Sequence, residues 1–229
     1  MRVYCFGSAG AGARAFRLWG AMAPSTMEIA AIQLPGREER IAEEPFYRMS
    51  EAADEIATGI AKSEPRPFAL FGHSMGARLA MHIAMHLHRH DNNTPCHVFA
   101  SGARWTLKPS DMVHKLDDLA FQRHIRERFG NLPPELTSNP AIWAMFGKPL
   151  RADFEAMETD VATPRPLPIA LTLIAGSRDH LFKDVEPDQW QAWSDRSIVV
   201  ETVDADHFSY RTDPRPYLNV ISRNMTKNI

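Results

Sequence analysis

The chain has 229 residues, of which 44% are hydrophobic and 24% charged, and its formal net charge is -2. That length suits one α/β domain with a core large enough to need no disulfide staples, and the composition is ordinary for a soluble globular protein. The weak charge provides no global field toward nucleic acid or an anionic membrane, so neither is expected as a partner.

From the start of the chain, residues 3–6 form the first short apolar run, which is too brief for the core of a signal peptide. No later stretch reaches the length of a membrane span. Further apolar runs lie at 28–33, 68–71, 97–100, 169–175 and 198–203. Each is closed by glycine or polar residues and followed by a helical pattern. Near-continuous apolar strands alternating with helices predict an α/β fold, a mostly parallel central sheet with helices on both faces. Ser50 is expected to cap a helix over 51–61. Asp213-Pro214 suits the start of the last helix, because proline is favoured in the first turn.

The alternation stops between about 105 and 166. Here the pattern predicts three helical pieces, 116–129, 140–146 and 150–160, with Asn139 capping the second. An all-helical insertion in such a sheet usually covers the carboxyl edge, where ligands bind, so the expectation is one domain over 1–229 with a lid over about 105–166. The two cysteines, Cys5 and Cys96, both read as buried in or beside strands. Paired with the lack of a leader, they predict a cytoplasmic protein with free thiols.

The central motif is Gly72-His73-Ser74-Met75-Gly76, between the run 68–71 and an alanine-rich helix. Gly-x-Ser-x-Gly in this context reads as a nucleophile elbow, in which serine occupies a strained turn and its neighbours pack too closely for a β-carbon. This defines an α/β-hydrolase fold, in which the acid and the base follow the serine in that order. Asp179 follows the run 169–175 and His207 follows 198–203, so both stand at strand ends on the edge that carries Ser74. His180, Asp204 and Asp206 are the rivals. His82 and His86 have metal-ligand spacing on one helix, but a solvated histidine face is the expected reading. The oxyanion donors should be the Met75 N–H and an N–H of the loop Gly7-Ser8-Ala9-Gly10-Ala11-Gly12. That loop also suggests dinucleotide binding, but Gln33-Leu34-Pro35-Gly36 stands where the acidic partner belongs.

Several strings together resemble the type II (editing) thioesterases of nonribosomal peptide and polyketide synthases. They are the loop of residues 5–12, Gln33-Leu34-Pro35-Gly36-Arg37-Glu38, the elbow, and Leu150-Arg151-Ala152-Asp153-Phe154 with its upstream partner at 129–135. The resemblance implies a triad of Ser74, His207 and Asp179, with backbone donors on Ala9 and Met75. It also implies hydrolysis of acyl groups from the phosphopantetheine arm of acyl or peptidyl carrier domains, by a monomer without metal or cofactor. The chain departs from the family pattern at Gly7, Ala11 and Asp206, where proline, glycine and glycine are usual. Neither the Arg37 string nor the Asp153 string has a chemical rationale from sequence, so a structural role is expected.

Two other readings remain. A carboxylesterase or lipase would carry the same triad, and a non-catalytic receptor on this fold would usually lack one member of it. Trp105, Phe129, Trp143, Met145, Phe146 and Met157 either shape an acyl pocket or pack the lid. Met75 has the same two options. Arg14, Arg17, Arg37 and Arg40 either meet an acidic carrier or are simply solvated.

Overall fold

A computed structural model describes residues 1–63, 66–90, 93–105, 112–130, 132, 134–181 and 186–225. Six strands form one sheet: β1 (Arg2–Phe6), β2 (Glu28–Ala31), β3 (Phe68–His73), β4 (His97–Ser101), β5 (Ala170–Gly176) and β6 (Val199–Val203). Their order is β2-β1-β3-β4-β5-β6 and every pairing is parallel. The helices are α1 (Trp19–Met22), α2 (Met49–Ala61), α3 (Met75–His90), α4 (Asp118–Phe129), α5 (Pro134–Ser138), α6 (Pro140–Glu158), α7 (Pro187–Gln191) and α8 (Arg215–Met225).

Side chains alternate across the sheet with period two, and both sets are apolar. Tyr4, Phe6, Leu70, Val98 and Leu173 join α2 and α3 in one core. Val3, Cys5, Phe71, Phe99 and Ile174 join α1 and α8 in the other. This double coverage is why the inner strands read as unbroken apolar runs. The edge strand β6 is different, with Val199 and Val200 exposed. Among the described residues no helix is long and apolar enough to cross a membrane.

Several local expectations change. The helix expected from a Ser50 cap begins at Met49 instead, with Arg48 at the cap position and no side-chain bond there. Burial of the Met49 side chain draws it into the first turn. Asn139 caps as expected, accepting from Ala141 N at 2.9 Å, with Pro140 in the first position. Asp213 accepts from Arg215 N at 3.2 Å at the start of α8. The pieces expected at 140–146 and 150–160 are one helix, α6, which runs through Pro149. A mid-helix proline forfeits one backbone hydrogen bond and crowds the preceding turn. Here tertiary contacts outweigh that cost, because Pro149 is buried and its Cβ lies 3.3 Å from where a Cβ on Gly36 would stand. Cys5 is buried as expected, but Cys96 lies just before β4 and is exposed.

Between β4 and β5 the described chain is helical: α4, α5, α6 and a 3-10 turn over Val113–Lys115. These elements have their own small core of Val113, Phe121, Ile125, Trp143 and Phe154. Arg151 ties it together, donating to the carbonyls of His114 (2.7 Å) and Leu116 (2.6 Å) while its guanidinium lies 4.3 Å above the Phe121 ring. Residues 106–111 of the expected insertion lie outside the described residues.

Candidate active site

β3 lies between β1 and β4, so the chain must leave the sheet and enter α3 through a turn of minimal size. Ser74 makes that turn with φ of 57°, in the left-handed region that costs a residue with a side chain about 1–2 kcal/mol. Its N–H donates to Ser101 O at 2.8 Å, which fixes the turn to the end of β4. A Cβ on Gly72 would run into the Gly76 carbonyl, and one on Gly76 into the Phe6 carbonyl. Both glycines of the motif are thus required by close backbone approach, and Ser74 is left half-buried at the carboxyl end of the sheet.

Asp179 and His207 leave the same edge from β5 and β6. Ser177 N donates to Val203 O at 2.8 Å and Arg178 N to Ala205 O at 3.0 Å, which joins the two loops. The His207 ring donates from Nδ1 to Asp179 Oδ2 at 2.8 Å, and both side chains are almost wholly buried. A carboxylate partner requires the proton on Nδ1, so Nε2 is the ring's acceptor. The second Asp179 oxygen accepts from Leu181 N at 2.9 Å. The His207 ring lies 4.7 Å from that of His73, the residue before Ser74. The rivals stand apart from this cluster: His180, Asp204 and Asp206 are exposed. Asp206 Oδ1 accepts from Phe208 N at 2.9 Å, which closes a turn across His207.

His73 is buried, with Nδ1 3.1 Å from Ser101 Oγ and its ring stacked 4.3 Å from Tyr210. Burial, with His207 and Arg211 nearby, pushes its pKa well below the usual histidine range, so it packs as a neutral ring.

The first-strand loop is a turn closed by Ala11 N donating to Ser8 O at 2.9 Å, with Gly10 at φ of +74°. It is held from two sides. Ser8 N donates to Tyr210 Oη at 3.2 Å, and Arg211 donates to Ser8 Oγ at 2.7 Å. Gly10 N donates to Asp153 Oδ2 at 2.7 Å. Between them, the Ala9 N–H has no protein acceptor among the described residues.

Reading the sequence did not find Asp153, Tyr210, Arg211 or Ser8. Arg37 is neither a carrier contact nor a solvated residue, and it has the structural role expected of its string. It is buried, donating to both Asp153 oxygens at 2.6 and 3.0 Å. The only signal was the pair of unexplained strings that contain Arg37 and Asp153. His82 is also not on a solvated face: it is buried against Asp160 at 2.9 Å, beside Arg78. His86 pairs with Asp54 at 2.7 Å. Of the aromatic and methionine candidates, Trp105 packs in the main core against Trp193, while Trp143 lies in the insertion's core. Met145 and Phe146 are exposed, and Met157 is half-buried between the two cores. Phe129 is the one beside the site, 6.3 Å from the His207 ring. Met75 is buried in the main core.

A parallel sheet in this order, with a serine elbow and a buried His–Asp pair on its carboxyl edge, defines an α/β-hydrolase. The family profile described as thioesterase domain matches residues 1–223, and the chain belongs to that family. Among curated relatives, linear gramicidin dehydrogenase LgrE of Brevibacillus parabrevis is 31% identical over 225 residues, 96% of this chain and 85% of its own. Gramicidin S biosynthesis protein GrsT of Aneurinibacillus migulanus is 31% identical over 212 residues, 91% of this chain and 82% of its own. Among solved structures, YbtT, a type II thioesterase from the yersiniabactin NRPS/PKS biosynthetic pathway, superposes with a TM-score of 0.88 at 26% identity. It matches 99% of this chain and 93% of its own. The resemblance to type II thioesterases thus holds across the whole chain. The word dehydrogenase in the first name belongs to that relative. Here the Gly10 N–H of the loop after β1 already donates to Asp153 Oδ2, so it is not free to bind a dinucleotide's pyrophosphate.

Proposed function

We propose that this thioesterase uses Ser74 as nucleophile, His207 as general base and Asp179 as the group that orients the base. Its substrates are acyl groups on the phosphopantetheine arm of acyl or peptidyl carrier domains. Its task is to clear aberrant or stalled chains in nonribosomal peptide or polyketide biosynthesis, in the cytoplasm. The observation that carries this reading is the buried 2.8 Å His207–Asp179 bond beside a serine held in the left-handed elbow.

In this mechanism His207 Nε2 takes the Ser74 proton as Oγ bonds to the thioester carbon. The carbonyl electron pair moves onto oxygen, which the N–H groups of Ala9 and Met75 receive. Collapse breaks the C–S bond, and His207 returns the proton to the leaving pantetheine thiol. Water, deprotonated by His207, then attacks the acyl-serine, releasing the carboxylic acid and restoring Ser74. No step calls for a metal or cofactor. The helical insertion acts as the lid, with Phe129 facing the acyl side of the site.

The test compares acyl-pantetheine thioesters, free and on a carrier domain, with a matched p-nitrophenyl ester. The expected result is thioester turnover, faster from the carrier, that falls by at least about a thousandfold in Ser74→Ala. Ester turnover with thioesters ignored would identify an esterase instead. Turnover untouched by Ser74→Ala would sink the reading.

A further inference from the structure

One helix, α6, touches the loops that follow β1 and β2. Pro149 packs against Gly36, and the Leu150 side chain lies 2.9 Å from where a Cβ on Gly10 would stand. One turn later, Asp153 takes the Gly10 N–H and both terminal nitrogens of Arg37. Arg37 also donates from Nε to Pro35 O at 3.2 Å, so its guanidinium is committed to protein partners. A buried ion pair is a poor device for stability alone, because its desolvation offsets its attraction. What it provides is geometry: a bidentate fork fixes the carboxylate in plane and direction. Here the oxygen nearest Gly10 serves two donors at once, and the next N–H along the loop toward its start is that of Ala9.

We propose that Asp153, held by Arg37, is a positioning residue for the oxyanion hole. By binding the Gly10 N–H it sets the plane of the 8–11 turn, so that the Ala9 N–H points at the reacting carbonyl. Because Asp153 rides on α6, the donor is in place only when this helix of the insertion is seated. The inference rests on Ala9 being an oxyanion donor, as proposed above. It also supplies the chemical reason that the two strings at Arg37 and Asp153 lacked.

The experiment uses two double variants of the whole chain. Both remove the ion pair, and they differ in whether an acceptor for Gly10 N–H survives: Arg37→Met with Asp153→Asn, and Arg37→Met with Asp153→Leu. The leucine pair is expected to have kcat on acyl-pantetheine at least about tenfold below the asparagine pair, with KM within about threefold. Affinity for a trifluoromethyl ketone analogue of the substrate, whose tetrahedral adduct places an oxyanion at the same point, should fall by the same factor. Equal kcat in the two, or an unchanged analogue affinity beside a lower kcat, would show that the pair is merely structural.

Should both variants fail to fold, amide exchange in the unaltered protein decides. Gly10 protected about a hundredfold over Ala9 supports the proposal, and equal exchange overturns it. Ser74→Ala run alongside separates the two claims. Turnover lost there with equal double variants removes only the positioning role, whereas turnover kept there removes both.

Discussion

In the first-strand loop, Gly7 and Ala11 share one space. A Cβ added to Gly7 would stand 2.8 Å from the Ala11 Cβ, so the Ala11 methyl fills the space that a side chain at 7 would need. The two positions are therefore expected to couple. Gly7→Ala alone should destabilise the protein by about 1–3 kcal/mol through overpacking. Adding Ala11→Gly should recover most of that loss, giving an interaction energy of about 1 kcal/mol in a double-mutant cycle by urea denaturation. Additive changes would show that the loop absorbs the methyl by moving. Asp206 has a local role too, since its carboxylate caps the turn that carries His207.

At the scale of elements, the pairing of β4 with β5 includes a buried polar link between His97 Nε2 and Thr172 Oγ1 at 2.8 Å. Burial, with a smaller push from Arg196, lowers the His97 pKa to about 4 from the usual 6.5. The unfolded chain therefore takes up a proton near pH 6.5 while the folded chain resists until about 4. Between those values the unfolded state binds more protons, so stability falls as pH drops through this window, by up to roughly 3 kcal/mol. Urea midpoints at pH 6.5 and pH 4.5 should therefore converge in His97→Gln relative to the native protein. Identical pH slopes in the two would place the acid sensitivity elsewhere.

α6 makes a related point about elements. From sequence it divides at Pro149, because the residue before proline avoids the helical region and proline itself breaks the hydrogen-bond ladder. The helix nevertheless continues, held by Pro149 against the 34–38 loop, by Asp153 to Arg37 and by Phe154 in the insertion's core. Local preference lost to tertiary contact that no window of residues contains.

For the whole molecule, the insertion and the sheet meet around the site rather than far from it. Ala9, Phe129, Leu132, Leu150 and Met157 are half-buried at the edge of the insertion's core. Phe129 reaches the His207 ring, so the insertion and the sheet's carboxyl edge share one apolar seam. If the acyl chain lies along that seam, Phe129→Ala should raise KM for an eight-carbon acyl thioester about fivefold, and leave KM for acetyl nearly unchanged. Equal effects on the two chain lengths would place the acyl path elsewhere.

Strand identity, the parallel sheet, the elbow at Ser74 and the candidates Asp179 and His207 were legible in the chain, because each depends on short-range signals. Apolar runs mark buried strands, and glycines mark the strained turn. A residue at a strand's carboxyl end is already on the functional edge. Only the folded chain decided which carboxylate and histidine meet, since Asp179 is distinguished from Asp204 and Asp206 by burial against His207 and not by its neighbours in sequence. Arg37 and Asp153 are 116 positions apart, and neither string that holds them has a chemical rationale by itself. Their meeting at Gly10 is a property of how the insertion packs on the sheet, where long-range contact sets the dielectric and the geometry.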